Sequence, residues 1–284
     1  MLAPSEQLRR QARRIVDAAL ERVPLQAALL AGSAGRGDAD FYSDLDLLFY
    51  VDEVPPDDAL EDIRTAVGGV NPIRREASNQ YHAGEEFTLE RVRTEISFTT
   101  VARVDSWLAQ LLDELDDVAS PLQKIASGIA EGLPLHGEEL VQRWRNRITP
   151  YPDALRVATI KSYWNLFPLW YHGEAMVARD TELWRVEMLV DTSLNLLGVL
   201  AALNRIYFSR FELKRMRALT AKMQLAPPRL ADRLESLFTL APELASAELG
   251  RLVTETRALV AAELPDLDLP LRFSPGTRQQ PWSI

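Results

Sequence analysis

The run Asp44–Val51, DLDLLFYV, constrains the fold most, because acids alternate with leucines at the start of an apolar segment. Such alternation is the pattern of a strand, in which successive side chains point to opposite faces of a sheet. Leu45 and Leu47 would then face a core, while Asp44 and Asp46 share the other face about 7 Å apart. Two carboxylates so close repel each other unless a cation lies between them. The run therefore predicts a strand that carries a cation site.

A glycine-serine pair, Gly32-Ser33, follows the preceding apolar run, LQAALLAG at 25–32. A turn after a buried strand offers free backbone N–H groups and a hydroxyl, which suit phosphate oxygens. Mg²⁺ is commonly held by one or two carboxylates together with substrate phosphates. The two segments together predict a nucleotide whose phosphates lie on Gly32-Ser33 and whose metal lies on Asp44 and Asp46. The plainer alternative is that Asp44 caps a turn and Asp46 faces solvent.

A third carboxylate is expected from a neighbouring strand, where it would complete the metal site or accept a proton. The segment RVRTEISFTTV offers Glu95, which alternates with Ile96 and would therefore share the polar face. An exposed glutamate paired with Arg93 is the simpler interpretation of the same residue. Glu90 and Glu85 compete for the role if the strand is misplaced.

The periodicity of the chain changes along its length. The first part mixes helical and strand patterns, with a helix near Ser5–Arg22 and a hairpin and strand before residue 102. From about Asp105 the strand signals vanish, and helical spacing interrupted by prolines fills the rest, including Asp105–Val118, Thr181–Phe208 and Phe211–Met223. We predict an α+β or α/β domain over 1–120, a mixed sheet with helices, followed by an all-α helical bundle over 121–284.

Charge and composition narrow the partners. The 284 residues carry 32 basic and 41 acidic side chains, a formal charge of −9, which disfavours a nucleic-acid polymer as substrate and suits a cationic small molecule. There is no cysteine, and the N-terminus lacks the pattern of a signal peptide. The apolar stretch Leu189–Leu203 is interrupted by polar residues, so we expect no membrane span and a cytoplasmic protein.

The string GSAGRGDADFYSDLDL resembles the nucleotidyltransferase signature of the polymerase-β-like superfamily. Its form, G-S-x-x-R-G followed by S-D-L-D-L, is most similar to the bacterial antibiotic branch, which includes streptomycin/spectinomycin adenylyltransferases and lincosamide nucleotidyltransferases. The resemblance implies that Gly32 and Ser33 hold a nucleoside triphosphate, that Asp44 and Asp46 bind two Mg²⁺ ions, and that Glu95 is the third acid. Over the helical part the resemblance is architectural only.

Basic residues complete the predicted site. Arg36 occupies a loop position from which a guanidinium reaches a phosphate, or else it is a solvated arginine. Members of the branch lend basic groups from a helical domain that closes over nucleotide and substrate, and Lys214 is the candidate here, with Lys161 a weaker one. Lys214 is expected near the start of a helix, where a cation is disfavoured without an anionic partner. Asp38 and Asp40 are predicted to be solvated loop residues.

The resemblance implies a reaction in which AMP passes from ATP to a hydroxyl of a small molecule, an aminoglycoside or lincosamide antibiotic, with release of pyrophosphate. Two other classes remain open: a regulatory or toxin–antitoxin nucleotidyltransferase that modifies a partner protein, and a silent nucleotide-binding module. The acidic set Asp44, Asp46 and Glu95 argues against the silent module.

Overall fold

The structure, a computed structural model, describes residues 3–76, 78–118, 121–167 and 182–270. Six strands are described: β1 Ala27–Leu30, β2 Leu45–Val51, β3 Val70–Glu76, β4 His82–Leu89, β5 Val92–Thr100 and β6 Leu133–His136. The described α-helices are α1 Pro4–Leu20, α2 Gly32–Arg36, α3 Asp57–Val67, α4 Val101–Ala109, α5 Pro121–Glu131, α6 Glu138–Ile148, α7 Asp153–Tyr163, α8 Glu182–Leu203, α9 Met216–Ala221, α10 Leu230–Ser236 and α11 Pro242–Glu263. A π-helical turn, Gln110–Glu114, follows α4, and a 3₁₀ helix, Arg210–Arg215, precedes α9.

The chain divides into two compact units, each with its own apolar core. The first unit comprises Met1–Asp116 and Ile125–Pro150, and the second comprises Asp117–Lys124 and Tyr151–Ile284. This division differs from the boundary predicted at 120/121, because the first unit also takes in β6 and α6. The assignment of catalysis to one domain and closure to the other stays a prediction.

The first unit is built on one mixed sheet with strand order β3-β4-β5-β2-β1-β6. Strands β2 and β5 are parallel, and every other neighbouring pair is antiparallel. Leu47 pairs with Ile96 and Phe49 with Phe98, and these side chains form a core with Ile15 of α1 and others from α3. The predicted fold class, a mixed sheet with helices followed by a helical region, is confirmed.

The opposite face of the sheet is covered at one end by α6. The ring of Trp144 packs edge-on against Tyr50 with centroids 4.7 Å apart, and its indole N–H donates to Asp105 at 2.7 Å. Towards the other end of β2, Leu48 and Asp46 are only part-buried. The acidic end of this face is therefore more accessible than the end at Tyr50.

Several predicted elements need correction. The strand predicted at 45–51 is confirmed, and the helix predicted at Ser5–Arg22 is α1, but β3 and β6 were not expected. The helix predicted from Asp105 begins at Val101, because Thr100 caps it by accepting the Arg103 N–H at 3.2 Å. The helix predicted at Phe211–Met223 is instead the 3₁₀ turn followed by α9.

All regular secondary structure described in the second unit is helical. Helix α8 lies at its centre, and the missing side chain of Gly198 leaves room for the ring of Tyr163 on α7. Among the described residues, α8 alone has the length and apolarity of a membrane span, yet 67% of that stretch is buried within the protein. The core helix of a globular unit can have the same length and apolarity, so α8 does not indicate a membrane protein.

Candidate active site

Two of the predicted acids lie side by side on the polar face of the sheet. In the parallel pairing of β2 with β5, Asp46 is opposite Glu95, one position before the buried pair Leu47 and Ile96. Residues in register on neighbouring strands point to the same face, about 4.8 Å apart along the sheet. Because Leu47 and Ile96 face the core, Asp46 and Glu95 face away from it. Both are part-buried.

A further carboxylate extends this row. Glu86 of β4 is opposite Glu95 in the antiparallel pairing of β4 with β5. Asp46, Glu95 and Glu86 therefore form a line of three acids across three adjacent strands, which we call the acidic row. Sequence reasoning missed Glu86, because its place depends on the register of the β4–β5 hairpin. The alternation of GEEFTL was the available signal.

A cation already lies among these acids. Arg93, two positions before Glu95 on β5 and therefore on the same face, contacts Glu86 with Nη2 at 2.8 Å and Nε at 3.2 Å. Its Nη1 donates to Asp44 Oδ2 at 3.1 Å. The hydrogen bond to Glu86, together with the charges of Glu86, Asp44 and Glu95, raises the pKa of the Arg93 guanidinium, and burial opposes that rise. Asp44 thus precedes β2 and is paired with Arg93 instead of sharing the strand with Asp46.

The glycine-serine turn lies against the acidic row. Gly32 has a left-handed backbone with φ +62°, and a Cβ placed on it would lie 2.9 Å from Asp46 Oδ2. The Ala31 N–H donates to the Asp46 carbonyl at 2.9 Å. The first amides of α2, including that of Ser33, have no acceptor within their own helix. A triphosphate bound at this turn would therefore lie next to the Asp46 carboxylate.

Other contacts hold the turn in place. Arg9 of α1 donates to the carbonyls of Ala34 and Gly35 at 3.0 and 2.9 Å. A Cβ on Gly35 would lie 2.2 Å from the Leu30 carbonyl oxygen, so no other residue fits there without a shift of the backbone. The turn is consequently pressed against the end of β1, which fixes its position relative to β2.

The loop between α2 and β2 is ordered by its own side chains. Asp40 Oδ1 accepts the Tyr42 N–H at 2.9 Å and the Ser43 hydroxyl at 3.0 Å, a local turn that Asp and Ser commonly form. This turn leaves Phe41 and Tyr42 exposed at 80% and 98%. Asp38, at 3.4 Å from Arg36 Nε, also has a structural contact. Asp38 and Asp40 are exposed loop residues, as predicted, and they also make these local contacts.

The structure places each of the remaining basic candidates within its own unit. Arg36 lies 3.4 Å from Asp38 and 3.6 Å from Glu131, so its guanidinium already has anionic partners. Lys214 is exposed in the last turn of the 3₁₀ helix, where a cation is favoured, so its position does not by itself call for an anionic ligand. Lys161 is exposed in the last turn of α7, in the second unit. Roles for these residues in phosphate binding stay predictions.

The competing acids lie elsewhere. Glu85 pairs with Ile96 in register and so faces the core, where its buried carboxylate accepts from Arg64 of α3 at 2.5 Å. Glu90 lies in the β4–β5 turn and bonds to Arg14 and Gln11 of α1, and the hydrogen bond from Arg14 lowers the pKa of its carboxyl. Neither shares the face of Asp46, so Glu95 is the acid that the register places beside it.

The acids beside the turn are ligands of the type that a divalent cation prefers, but they are not arranged around one point. Across the described residues, no group of three or more His, Cys, Asp or Glu side chains is arranged to hold a metal ion. Asp46 and Glu95 supply the hard oxygen ligands that Mg²⁺ prefers, and Gly32 leaves room beside Asp46 that a Cβ would fill. The residues therefore fit a divalent cation in donor chemistry, provided that Asp44 leaves Arg93.

Comparison with known proteins decides the reaction class. Residues 12–107, which include Gly32, Ser33, Asp44, Asp46 and Glu95, match the family model of the nucleotidyltransferase domain. The first unit carries a nucleotidyltransferase domain. The prediction of a nucleotidyltransferase enzyme is thereby confirmed, whereas the antibiotic branch is not distinguished.

The other comparisons are less specific. A nucleotidyltransferase-like protein from Exiguobacterium sibiricum 255-15 is similar in structure, with 14% identity and a TM-score of 0.40, over 89% of this chain and 77% of that one. A search of curated proteins finds no match.

Proposed function

We propose that this chain transfers AMP from ATP to a hydroxyl group of a small molecule, such as an aminoglycoside or lincosamide antibiotic, and releases pyrophosphate. The observation that carries the proposal is the register of Asp46 with Glu95 directly beside Gly32. This places two carboxylates of one sheet face next to the turn that suits a triphosphate, within a nucleotidyltransferase domain.

Each group has a distinct task in the proposed reaction. The amides of Gly32 and Ser33 and the Ser33 hydroxyl bind triphosphate oxygens and orient the α-phosphorus. Asp44, Asp46 and Glu95 would hold Mg²⁺ ions, which neutralise phosphate charge and acidify a bound hydroxyl when present. In the proposed reaction Glu95 also accepts the proton of the acceptor hydroxyl.

The transfer balances as an in-line displacement. The acceptor oxygen forms a bond to the α-phosphorus as the bond from that phosphorus to the bridging oxygen of the β-phosphate breaks. Pyrophosphate leaves with the bond electrons, and the acceptor proton passes to Glu95 and then to solvent. The chain contributes chiefly positioning and charge neutralisation.

The acceptor class is supported by charge. The protein carries a formal charge of −9, and the acidic row adds a local negative field, which favours a cationic acceptor over a nucleic-acid polymer. An aminoglycoside combines ammonium groups with hydroxyls and so fits this field. The donor ATP and a chain without cysteine fit a cytoplasmic reaction.

The test is incubation with Mg²⁺, α-labelled ATP and a panel of aminoglycosides and lincosamides, followed by detection of labelled drug. We expect label on at least one drug and its loss by at least about 100-fold in Asp46→Asn, since a carboxylate that would hold Mg²⁺ beside the reacting phosphate is removed. The matched control is Asp52→Asn, an exposed acid just past the other end of β2 that bonds to Gln26. Near-full activity in Asp46→Asn would overturn the site.

Other outcomes separate the remaining classes. Label on a co-purified protein, with none on any drug, would replace the proposal with a protein-modifying nucleotidyltransferase. Absence of any transfer, together with tight binding of ATP, would indicate a nucleotide-binding module. Parallel reactions with GTP and CTP test the choice of donor.

A further inference from the structure

Arg93 is placed as a bridge between two acids from different segments. On one side it contacts both oxygens of Glu86, with Nη2 at 2.8 Å and Nε at 3.2 Å. On the other side only Nη1 reaches Asp44, at 3.1 Å. A fork of two parallel bonds fixes the guanidinium in plane and is stronger than a single contact. The Glu86 side is therefore the anchor, and the Asp44 side is the contact that breaks more easily.

Asp44 is also a predicted metal ligand that contacts a different cation in this structure. Asp46 and Glu95 are in register on one face, but no group of three metal-ligating side chains is assembled in the described residues. Asp44, the third predicted ligand, is in contact with Arg93 instead. A guanidinium and a divalent cation compete for the same carboxylate oxygens, since both are drawn to concentrated negative charge.

We infer that Arg93, anchored by Glu86, is a resident cation that occupies Asp44 until a divalent metal displaces it. This inference rests on the proposed function, because it assumes that Asp44 and Asp46 bind metal. In the metal-free protein the guanidinium offsets part of the repulsion among Asp44, Asp46, Glu86 and Glu95. Metal binding then exchanges one cation for another, and Glu86 keeps Arg93 at the edge of the site.

The competition has a direct consequence for affinity. Replacing Arg93 with a neutral side chain frees Asp44 and adds one net negative charge to the cluster, so a divalent cation should bind more tightly. The side chains of Arg93 and Asp44 are 51% and 43% exposed, so their contact has the strength of a surface ion pair. An energy in that range corresponds to a tightening of roughly two- to five-fold. A purely structural role predicts the opposite, because a damaged site binds metal less well.

The experiment is a titration of the full chain with Mn²⁺ alone, without nucleotide, with free Mn²⁺ followed by electron paramagnetic resonance. We expect Arg93→Met to lower the Kd for Mn²⁺ by roughly two- to five-fold. The matched control is Arg91→Met, which removes the same charge from an exposed arginine two positions earlier in the turn before β5. Its effect should be clearly smaller, since a charge in solvent is screened.

A double-mutant cycle tests the route through Asp44. In an Asp44→Asn background the substitution Arg93→Met should tighten Mn²⁺ binding clearly less than it does in the wild-type chain, because the contested carboxylate is gone and only the change in net charge remains. An unchanged or weaker affinity in Arg93→Met, or an equal change in Arg91→Met, would overturn the inference. Tightening that persists fully in the Asp44→Asn background would overturn it as well.

The same titration separates this inference from the proposed function. If the wild-type chain binds Mn²⁺ and Asp46→Asn does not, the metal site stands, and an unresponsive Arg93→Met rejects only the role of Arg93. If the wild-type chain binds no Mn²⁺, the metal-dependent proposal and the inference fail together.

Discussion

The substitution Gly32→Ala tests whether the phosphate turn and Asp46 form one site. The added Cβ would lie 2.9 Å from Asp46 Oδ2, whereas ordinary van der Waals contact needs about 3.5 Å. The carboxylate or the turn must therefore move by about half an ångström. Displacements of that order in a catalytic group lower turnover strongly, so we expect a loss of roughly 10- to 100-fold in kcat/KM.

Backbone strain must be separated from this displacement. Gly32 has φ +62°, and an L-residue in that region costs about 1–2 kcal/mol of folding free energy. Gly68, which ends α3, has φ +77°, and a Cβ added there would meet nothing within 4 Å, so Gly68→Ala imposes similar strain without touching the site. Both variants should lose similar stability in urea denaturation, but only Gly32→Ala should lose nucleotidyl transfer.

Two assays distinguish loss of catalysis from loss of metal binding in Gly32→Ala. Transfer from labelled ATP to the acceptor found in the drug panel measures the whole site, and Mn²⁺ titration without nucleotide measures Asp46 apart from the phosphates. Activity of Gly32→Ala within about twofold of wild type would refute the adjacency of Gly32 to a catalytic carboxylate. An equal loss in Gly68→Ala would show that strain, and not the contact, is responsible.

The remaining predictions concern stability. Arg64→Ala should lower the free energy of unfolding in urea by about 3–5 kcal/mol, because the Glu85 carboxylate, only 1% exposed, loses the cation that contacts it. A loss under about 1 kcal/mol would contradict this. Gly35→Ala should cost about 1–3 kcal/mol, since its Cβ would meet the Leu30 carbonyl oxygen at 2.2 Å, and a fully stable variant would show that the turn moves to make room. The hydrogen bond from Arg233 lowers the pKa of Glu255, so its stabilisation is present above about pH 4.3 and is lost as pH falls through the lowered pKa. The difference in unfolding free energy between wild type and Arg233→Ala should therefore shrink on acidification, and a constant difference from pH 7 to pH 3 would argue against the ion pair.

The two strands that the sequence did not predict are the two edges of the sheet. Strand β3 contains Pro72 and β6 contains Pro134, and proline inside a run argues against a strand because it cannot donate to the ladder. Edge strands tolerate proline, since one side of their backbone has no partner strand. The rule that proline argues against a strand holds for central strands. Applied to the two edge segments, it argues against β3 and β6, which are strands nonetheless. The unpredicted β6 also explains why residues 125–150 join the first unit.

The central strands could be predicted because the alternation of apolar and polar residues is enough to identify them. Alternation in β2 places Leu45 and Leu47 in the core, and it therefore places Asp46 on the polar face whatever its neighbours are. Glu95 follows by the same reasoning within β5. Local sequence thus determines the face of each acid, while its partner across the sheet depends on register.

Register is what local sequence leaves open, and the position of Arg93 shows the consequence. Its pairing with Asp44 depends on the parallel alignment of β2 with β5, and its anchoring by Glu86 depends on the β4–β5 hairpin. Alternation alone predicted an arginine beside Glu95 and gave no reason to connect it with Asp44. In the folded sheet that arginine contacts one acid of the predicted metal site and leaves Asp46 and Glu95 beside the phosphate turn. The sequence motif therefore predicts the acids of the metal site. The register of the sheet determines that Asp44 is the one for which a metal must compete with Arg93.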